Sequence, residues 1–248
     1  MPQFDWLLKD DALRFLEVLK ATLNAELPPL SELRSTVREI AAASKADDTK
    51  AHLRSPESVF LNHFVIPKIF RAIRTHGIGD VEARQSFLCE GYANADLSVF
   101  CSGTPARTEP HPFTKLMGSN AKEIALKWKG NALTQACPDF AFRNPFPFKI
   151  VFEGKYFEQG SAEKAARDLA TNIYQAFFYR SLPYVAPKKS GVAWDYDFAC
   201  LLAYDASPNQ TLLTAWNDLA ESVRSGFWEG ANVYVMILSS VACRSSGA

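Results

Sequence analysis

Residues 134–157, TQACPDFAFRNPFPFKIVFEGKYF, decide how this chain folds. Two apolar runs, 134–142 and 148–157, flank the turn-forming Arg143-Asn144-Pro145-Phe146-Pro147 and read as two strands joined by a short connection. Successive side chains of a strand project to opposite faces. Glu153 and Lys155 therefore share one face of the second strand, and Phe152, Gly154 and Tyr156 the other. Asp139 precedes Glu153 by thirteen intervening residues. A tight antiparallel hairpin sets the two carboxylates side by side.

The segments that follow extend this pair into a sheet. Residues 161–182, SAEKAARDLATNIYQAFFYRSL, read as a long helix capped by Ser161, with Ala165, Leu169, Ile173 and Phe177 in its apolar stripe. A strand, DFACLLAYD (197–205), a helix from about Leu212 to Ser225, and a last strand, NVYVMILSSV (232–241), complete the series. Strand pair, helix, strand, helix and strand imply an α/β fold with a mixed sheet flanked by helices. Upstream the pattern is helical. Residues 5–24 carry Ala12, Phe15, Leu16, Leu19 and Leu23 at three- and four-residue steps, and Pro28-Pro29 ends that helix. A second helix is expected over 32–44 with Ser31 as its N-cap, giving an N-terminal helical hairpin. The polar Lys45–Lys50 stretch marks a linker between a helical region, 1–48, and a main domain, 49–248. A third helix begins at Ser55-Pro56, closes at Gly77 and carries Pro67 as a possible kink. Within 80–133, ADLSVFCSG reads as a strand and SNAKEIALKWKG as a short helix.

Asp139, Glu153 and Lys155 carry the chemistry. Two adjacent buried carboxylates repel, and one is driven towards protonation unless a cation intervenes. Mg²⁺ suits such a pair, since it takes one or two carboxylates and fills its remaining positions with waters and phosphate oxygens. Bound metal lowers the pKa of a water and neutralises a phosphate. Lys155 then stabilises developing charge, or orients and deprotonates the attacking water. The competing readings are plain ones. Glu153 and Lys155 also suit an exposed edge-strand pair of little energetic weight. Asp139 also suits a turn.

The segment PDF…FEGKYF resembles the PD-(D/E)xK motif of restriction endonuclease-like nucleases, and the resemblance extends over roughly residues 55 to 240. It implies a restriction endonuclease-like mixed central sheet and hydrolysis of DNA phosphodiesters with Mg²⁺, for which Mn²⁺ substitutes. By matching positions, Asp139, Glu153 and the carbonyl of Gly154 would hold the metal and Lys155 would serve the nucleophile. The family often adds an acid from a preceding helix. Glu57 is the best match and Glu82 and Glu90 weaker ones, although Glu57 equally suits a first-turn acid favoured by the helix dipole. Gln175 and Tyr179 match a QxxxY pattern of exonuclease-type members, as substrate contacts or as buried hydrogen-bonding groups. The size fits a type II restriction endonuclease acting on double-stranded DNA as a homodimer, with the N-terminal helices as the dimer contact. A repair or exonuclease-type nuclease, and a non-catalytic nucleic-acid-binding protein on the same fold, are the alternatives.

Bulk composition sets the outer bounds. The 248 residues are 48% hydrophobic and 22% charged, an ordinary globular balance. Lys plus Arg and Asp plus Glu each total 27, a neutral sum that neither indicates nor excludes nucleic acid. Lys115, Lys122, Lys127 and Lys129 form the densest basic stretch near the motif, as phosphate contacts or a solvated helix face; Arg71 and Arg74 are a weaker basic candidate. The five cysteines are scattered without a CxxC pair, which disfavours a zinc site of that spacing and suits a reducing cytoplasm. His52, His63, His76 and His111 have no ligand spacing, and His111 receives no role. The acidic N-terminal residues Asp5, Asp10 and Asp11 do not suit a signal peptide, and no apolar run reaches membrane-span length. A cytoplasmic, prokaryotic restriction enzyme with no membrane partner is the resulting expectation. No GxSxG, P-loop or GxGxxG motif is present.

Overall fold

The computed structural model describes residues 6–45, 55–89, 139–143, 145–181, 184–185, 193–194 and 196–239. In chain order they form α1 (Trp6–Glu26), α2 (Leu30–Ser44), α3 (Pro56–Val59), a wide π-helical turn (Phe60–Val65), α4 (Ile66–His76) and α5 (Asp80–Ser86). Strands β1 (Phe87–Cys89), β2 (Phe140–Phe142) and β3 (Ile150–Phe157) follow, then α6 (Ala162–Ser181). The remaining elements are β4 (Tyr184–Val185), β5 (Ala193–Trp194), β6 (Phe198–Asp205), α7 (Thr211–Asn217), α8 (Glu221–Ala231) and β7 (Val233–Ser239).

The sheet order is β1-β2-β3-β6-β7, and β4-β5 form a separate two-stranded piece that the sequence pattern did not announce. β2 pairs antiparallel with both β1 and β3, whereas β3, β6 and β7 run parallel. The mixed α/β architecture flanked by helices is therefore present. Every residue of β6 is buried, as expected of a parallel strand covered on both faces. On one face Phe140, Phe142, Phe152, Phe198, Leu202 and Met236 pack against residues of α1, α2 and α4. On the other, Val151, Leu201, Ala203 and Ile237 pack against α6, α7 and α8 through Leu169, Ile173, Leu212 and Phe227.

The N-terminal helices do not close on themselves as a hairpin. α1 lies along α4 and β7, and α2 against α3. The apolar stripe of α1 explains this. Ala12, Phe15, Leu16, Leu19 and Leu23 are fully buried in the same core as the sheet. Phe15 alone meets the rings of His76, Phe142, Phe146 and Phe148. That stripe is used inside the chain, so it offers no dimer face. No helix among the described residues is long and apolar enough to cross a membrane.

Local rules succeed at some helix ends and fail at others. Ser55 caps α3 by accepting the Ser58 N–H at 3.0 Å, Ser161 accepts the Lys164 N–H at 3.2 Å, and Gly77 closes α4 at φ 91°. The expected Ser31 cap is wrong. α2 already starts at Leu30, entered from the extended Pro29. The irregularity expected at Pro67 appears just before it as the π turn, where Ile66 N–H reaches back to the Leu61 carbonyl. A proline supplies no donor to the next position of the ladder, which favours a local change in pitch. The single helix expected from Leu212 to Ser225 is two, broken at the extended Ala220. α8 then passes through Gly226 to Ala231. Burial of Phe227 and Trp228, at ~1.5–3 kcal/mol per large apolar side chain, outweighs the ~1 kcal/mol that an internal helix glycine costs.

Candidate active site

The hairpin register builds the site. Phe140 pairs with Phe152 and Ala141 with Val151, and continuing that antiparallel register sets Asp139 opposite Glu153. Asp139 Oδ2 accepts the Gly154 N–H at 2.6 Å, which fixes the carboxylate against β3. Along a strand, the N–H and C=O of one residue project to the same side. The Gly154 carbonyl thus lies on the Asp139 edge as well. Glu153 and Lys155 point to the α6 face, as alternation requires, and their side chains meet with Lys155 Nζ 2.5 Å from Glu153 Oε1.

Glu57 joins them from a distant part of the chain. Ser55 and Pro56 start α3 so that Glu57 falls in its first turn. Its Oε1 accepts from Lys155 Nζ at 3.1 Å. The π turn that follows holds α3 against β3: Leu61 packs on Gly154 so closely that a Cβ there would stand 2.3 Å from Leu61 Cδ2. Glycine is required by this approach, not by its backbone angles. The sequence reading assigned nothing to Leu61. Its one available signal was a glycine inside a strand, which often marks a close neighbour.

Burial governs the electrostatics. Glu153 is 2% exposed. Burial pushes its carboxyl well above the usual carboxylate range; Lys155 opposes the shift, while Asp139 and Glu57 add to it. For Lys155, burial favours the neutral amine, but Glu153, Glu57 and Asp139 together outweigh it and hold the ammonium charged above the ordinary lysine range. Glu153 Oε1 has its partner. Glu153 Oε2 is buried and meets no hydrogen-bond donor among the described residues.

On α6, Gln175 Nε2 donates to the Tyr179 hydroxyl at 3.0 Å. Tyr179 is a core residue, 2% exposed. Burial raises its phenol pKa, and the Glu153 charge raises it further; α6, which carries the ring, packs against β3. Of the expected residues, the structure thus brings together Asp139, Glu153, Gly154, Lys155 and Glu57, with Tyr179 and Gln175 behind them. Glu82 is not among them; it lies exposed on α5. Arg71 and Arg74 are engaged on α4 by Glu26 and Asp80. Glu90, His111, Lys115, Lys122, Lys127 and Lys129, with the strand and helix expected around them, lie outside the described residues.

The donor set bears on whether a metal fits. Among the described residues no group of three His, Cys, Asp or Glu side chains is placed to hold a metal ion. What the site offers is a buried carboxylate oxygen lacking a donor, a second carboxylate across the hairpin, and a backbone carbonyl on the same edge. That set suits a hard ion that keeps several waters and does not suit zinc, which prefers nitrogen and sulfur. No family model, curated protein or solved structure matches the chain.

Proposed function

We propose that this chain is a Mg²⁺-dependent nuclease that hydrolyses DNA phosphodiester bonds at the Asp139–Glu153–Lys155 cluster. The observation that carries the reading is Glu153: a fully buried carboxylate, paired through Oε1 to Lys155 and left without a donor at Oε2 among the described residues. An uncompensated buried acceptor of this kind is costly in a purely structural role. A cation offsets that cost.

Asp139, Glu153 and the Gly154 carbonyl would hold the ion. When bound, Mg²⁺ supplies charge neutralisation at the scissile phosphate and a lower pKa for an attacking water. Lys155 stays protonated between its carboxylates, so its part is to donate to a non-bridging phosphate oxygen as negative charge develops there. That favours the charge-stabilising role over deprotonation of water. Glu57, at 3.1 Å from Lys155 Nζ, positions the ammonium. Gly154 lets Leu61 and α3 approach β3, and thereby sets Glu57.

The narrow form of the reading is a type II restriction endonuclease cutting a specific duplex site as a homodimer. An end-directed, exonuclease-type activity is its rival, favoured by the Gln175–Tyr179 pair beside Glu153. One experiment addresses both. Purified protein is incubated with plasmid and phage DNA, with Mg²⁺ or with EDTA, beside Lys155→Ala. Discrete metal-dependent bands lost in the variant support the endonuclease; a smear or shortening from ends supports the rival. No cleavage under any metal, or equal cleavage by the variant, removes the catalytic assignment and leaves a nucleic-acid-binding protein on this fold.

A further inference from the structure

We infer that Arg34 and Arg38 of α2, together with Tyr156 of β3, form a phosphate-binding site that holds the nucleic-acid backbone beside the cluster; this rests on the nuclease reading above. Arg34 and Arg38 are four residues apart on one face of α2. α2 packs against α3, the helix that carries Glu57. Tyr156 directly follows Lys155 and projects from the opposite face of β3. The two clusters therefore flank the C-terminal half of one strand, and parallel strands commonly present ligands at that end.

Three observations point to an anion. Arg38 Nε lies 3.3 Å from Glu158 Oε1, and the Tyr156 hydroxyl lies 3.5 Å from the same oxygen. Arg34 and Arg38 both act electrostatically on the Tyr156 hydroxyl, from positions one turn apart on α2. Arg34 Nε is buried and has no hydrogen-bond partner among the described residues. Arg38 and the Tyr156 hydroxyl thus share one carboxylate, and one Arg34 guanidinium N–H is withdrawn from water without an acceptor among the described residues. Such a donor is costly unless a ligand oxygen completes it. The planar arginine fork matches phosphate.

The test is fluorescence anisotropy of a short labelled DNA duplex in EDTA, where nothing is cut, over a range of salt concentrations. Arg34→Gln, Arg38→Gln and the double variant are compared with wild type and with Arg224→Gln, on α8 against the far strand β7. The double variant is expected to bind roughly tenfold more weakly at low salt. Its plot of log affinity against log salt should flatten by about one for each arginine removed. Arg224→Gln should match wild type. Arg34→Gln should melt no lower than wild type, since it removes an unsatisfied donor. Arg38 is exposed, so Arg38→Gln alone serves if the double variant folds poorly. Unchanged affinity and slope in the arginine variants, while wild type still binds and cuts DNA, overturn this inference and leave the nuclease reading intact. Failure of wild type both to bind and to cut overturns the two together.

Discussion

Glu153 and Lys155, two residues apart on β3, share a 2.5 Å contact through one carboxylate oxygen, while the other oxygen of Glu153 is buried without a donor among the described residues. The pair is half of a site: complete as an ion pair, incomplete as a hydrogen-bonded group. This asymmetry separates the arrangement from the exposed edge-strand pair that the same residues would make, because Glu153 is 2% exposed.

Removing Lys155 should cost stability as well as activity. Lys155→Ala leaves Glu153 buried beside Asp139 and Glu57 with no ammonium, and breaking a buried pair this way costs on the order of 3 kcal/mol. Adding Glu153→Gln should restore most of the stability and none of the cleavage. Chemical denaturation of the two variants checks it; a single variant as stable as wild type would show that the pair is solvated.

In EDTA, stability should fall with rising pH above the ordinary carboxylate range. The Glu153 pKa is raised on folding, chiefly by burial. The folded chain therefore binds more protons than the unfolded one between the ordinary carboxylate pKa and the raised value, and stability is lost as pH climbs through that window. Lys155, raised in the folded chain, acts only at alkaline pH, where its contribution is lost above the ordinary lysine pKa. Melting temperatures of wild type and Glu153→Gln across pH, measured in EDTA, should diverge in that window. Parallel curves would contradict the assigned shift.

Mg²⁺ or Mn²⁺ should stabilise wild type by about 2.7 kcal/mol at a hundredfold excess over its Kd, since ligand binding to the native state must stabilise it. The shift should vanish in Asp139→Asn and Glu153→Gln and strengthen with pH, because Glu153 must lose its proton to bind. A shift retained in both variants would place the ion elsewhere.

Gly154→Ala should destabilise by ~1–3 kcal/mol through overpacking, because its Cβ would fall 2.3 Å from Leu61 Cδ2. Leu61→Ala in the same chain should recover part of that loss, a coupling expected between touching residues. Additive effects in the double-mutant cycle would show that the two do not touch.

Phe15→Ala should cost ~3–5 kcal/mol, as for a buried phenylalanine, and deletion of residues 1–48 should leave an unfolded remainder. Phe15 lies in one ring cluster with Phe142, Phe146 and Phe148. Circular dichroism and melting of the truncated chain decide this; a cooperative transition in it would make the helical region separable.

By itself the sequence determined what depends on near neighbours. Strand alternation put Glu153 and Lys155 on one face, the caps Ser55 and Ser161 started their helices, and the apolar stripe of α1 was legible in its three- and four-residue steps. These follow from short-range backbone geometry, which composition and spacing reveal. Tertiary structure decided what depends on partners remote in the chain. Glu57 and Lys155 are 98 residues apart; the resemblance ranked Glu57 ahead of Glu82, but only the packing of α3 on β3 brings its carboxylate to Lys155, while Glu82 stays exposed on α5. The same holds for Leu61 against Gly154, for α1 turning into the sheet core, and for the break at Ala220. The depth of Glu153 belongs here as well. A side chain's face is set by its own strand, but its removal from water is set by the helices that pack over that face.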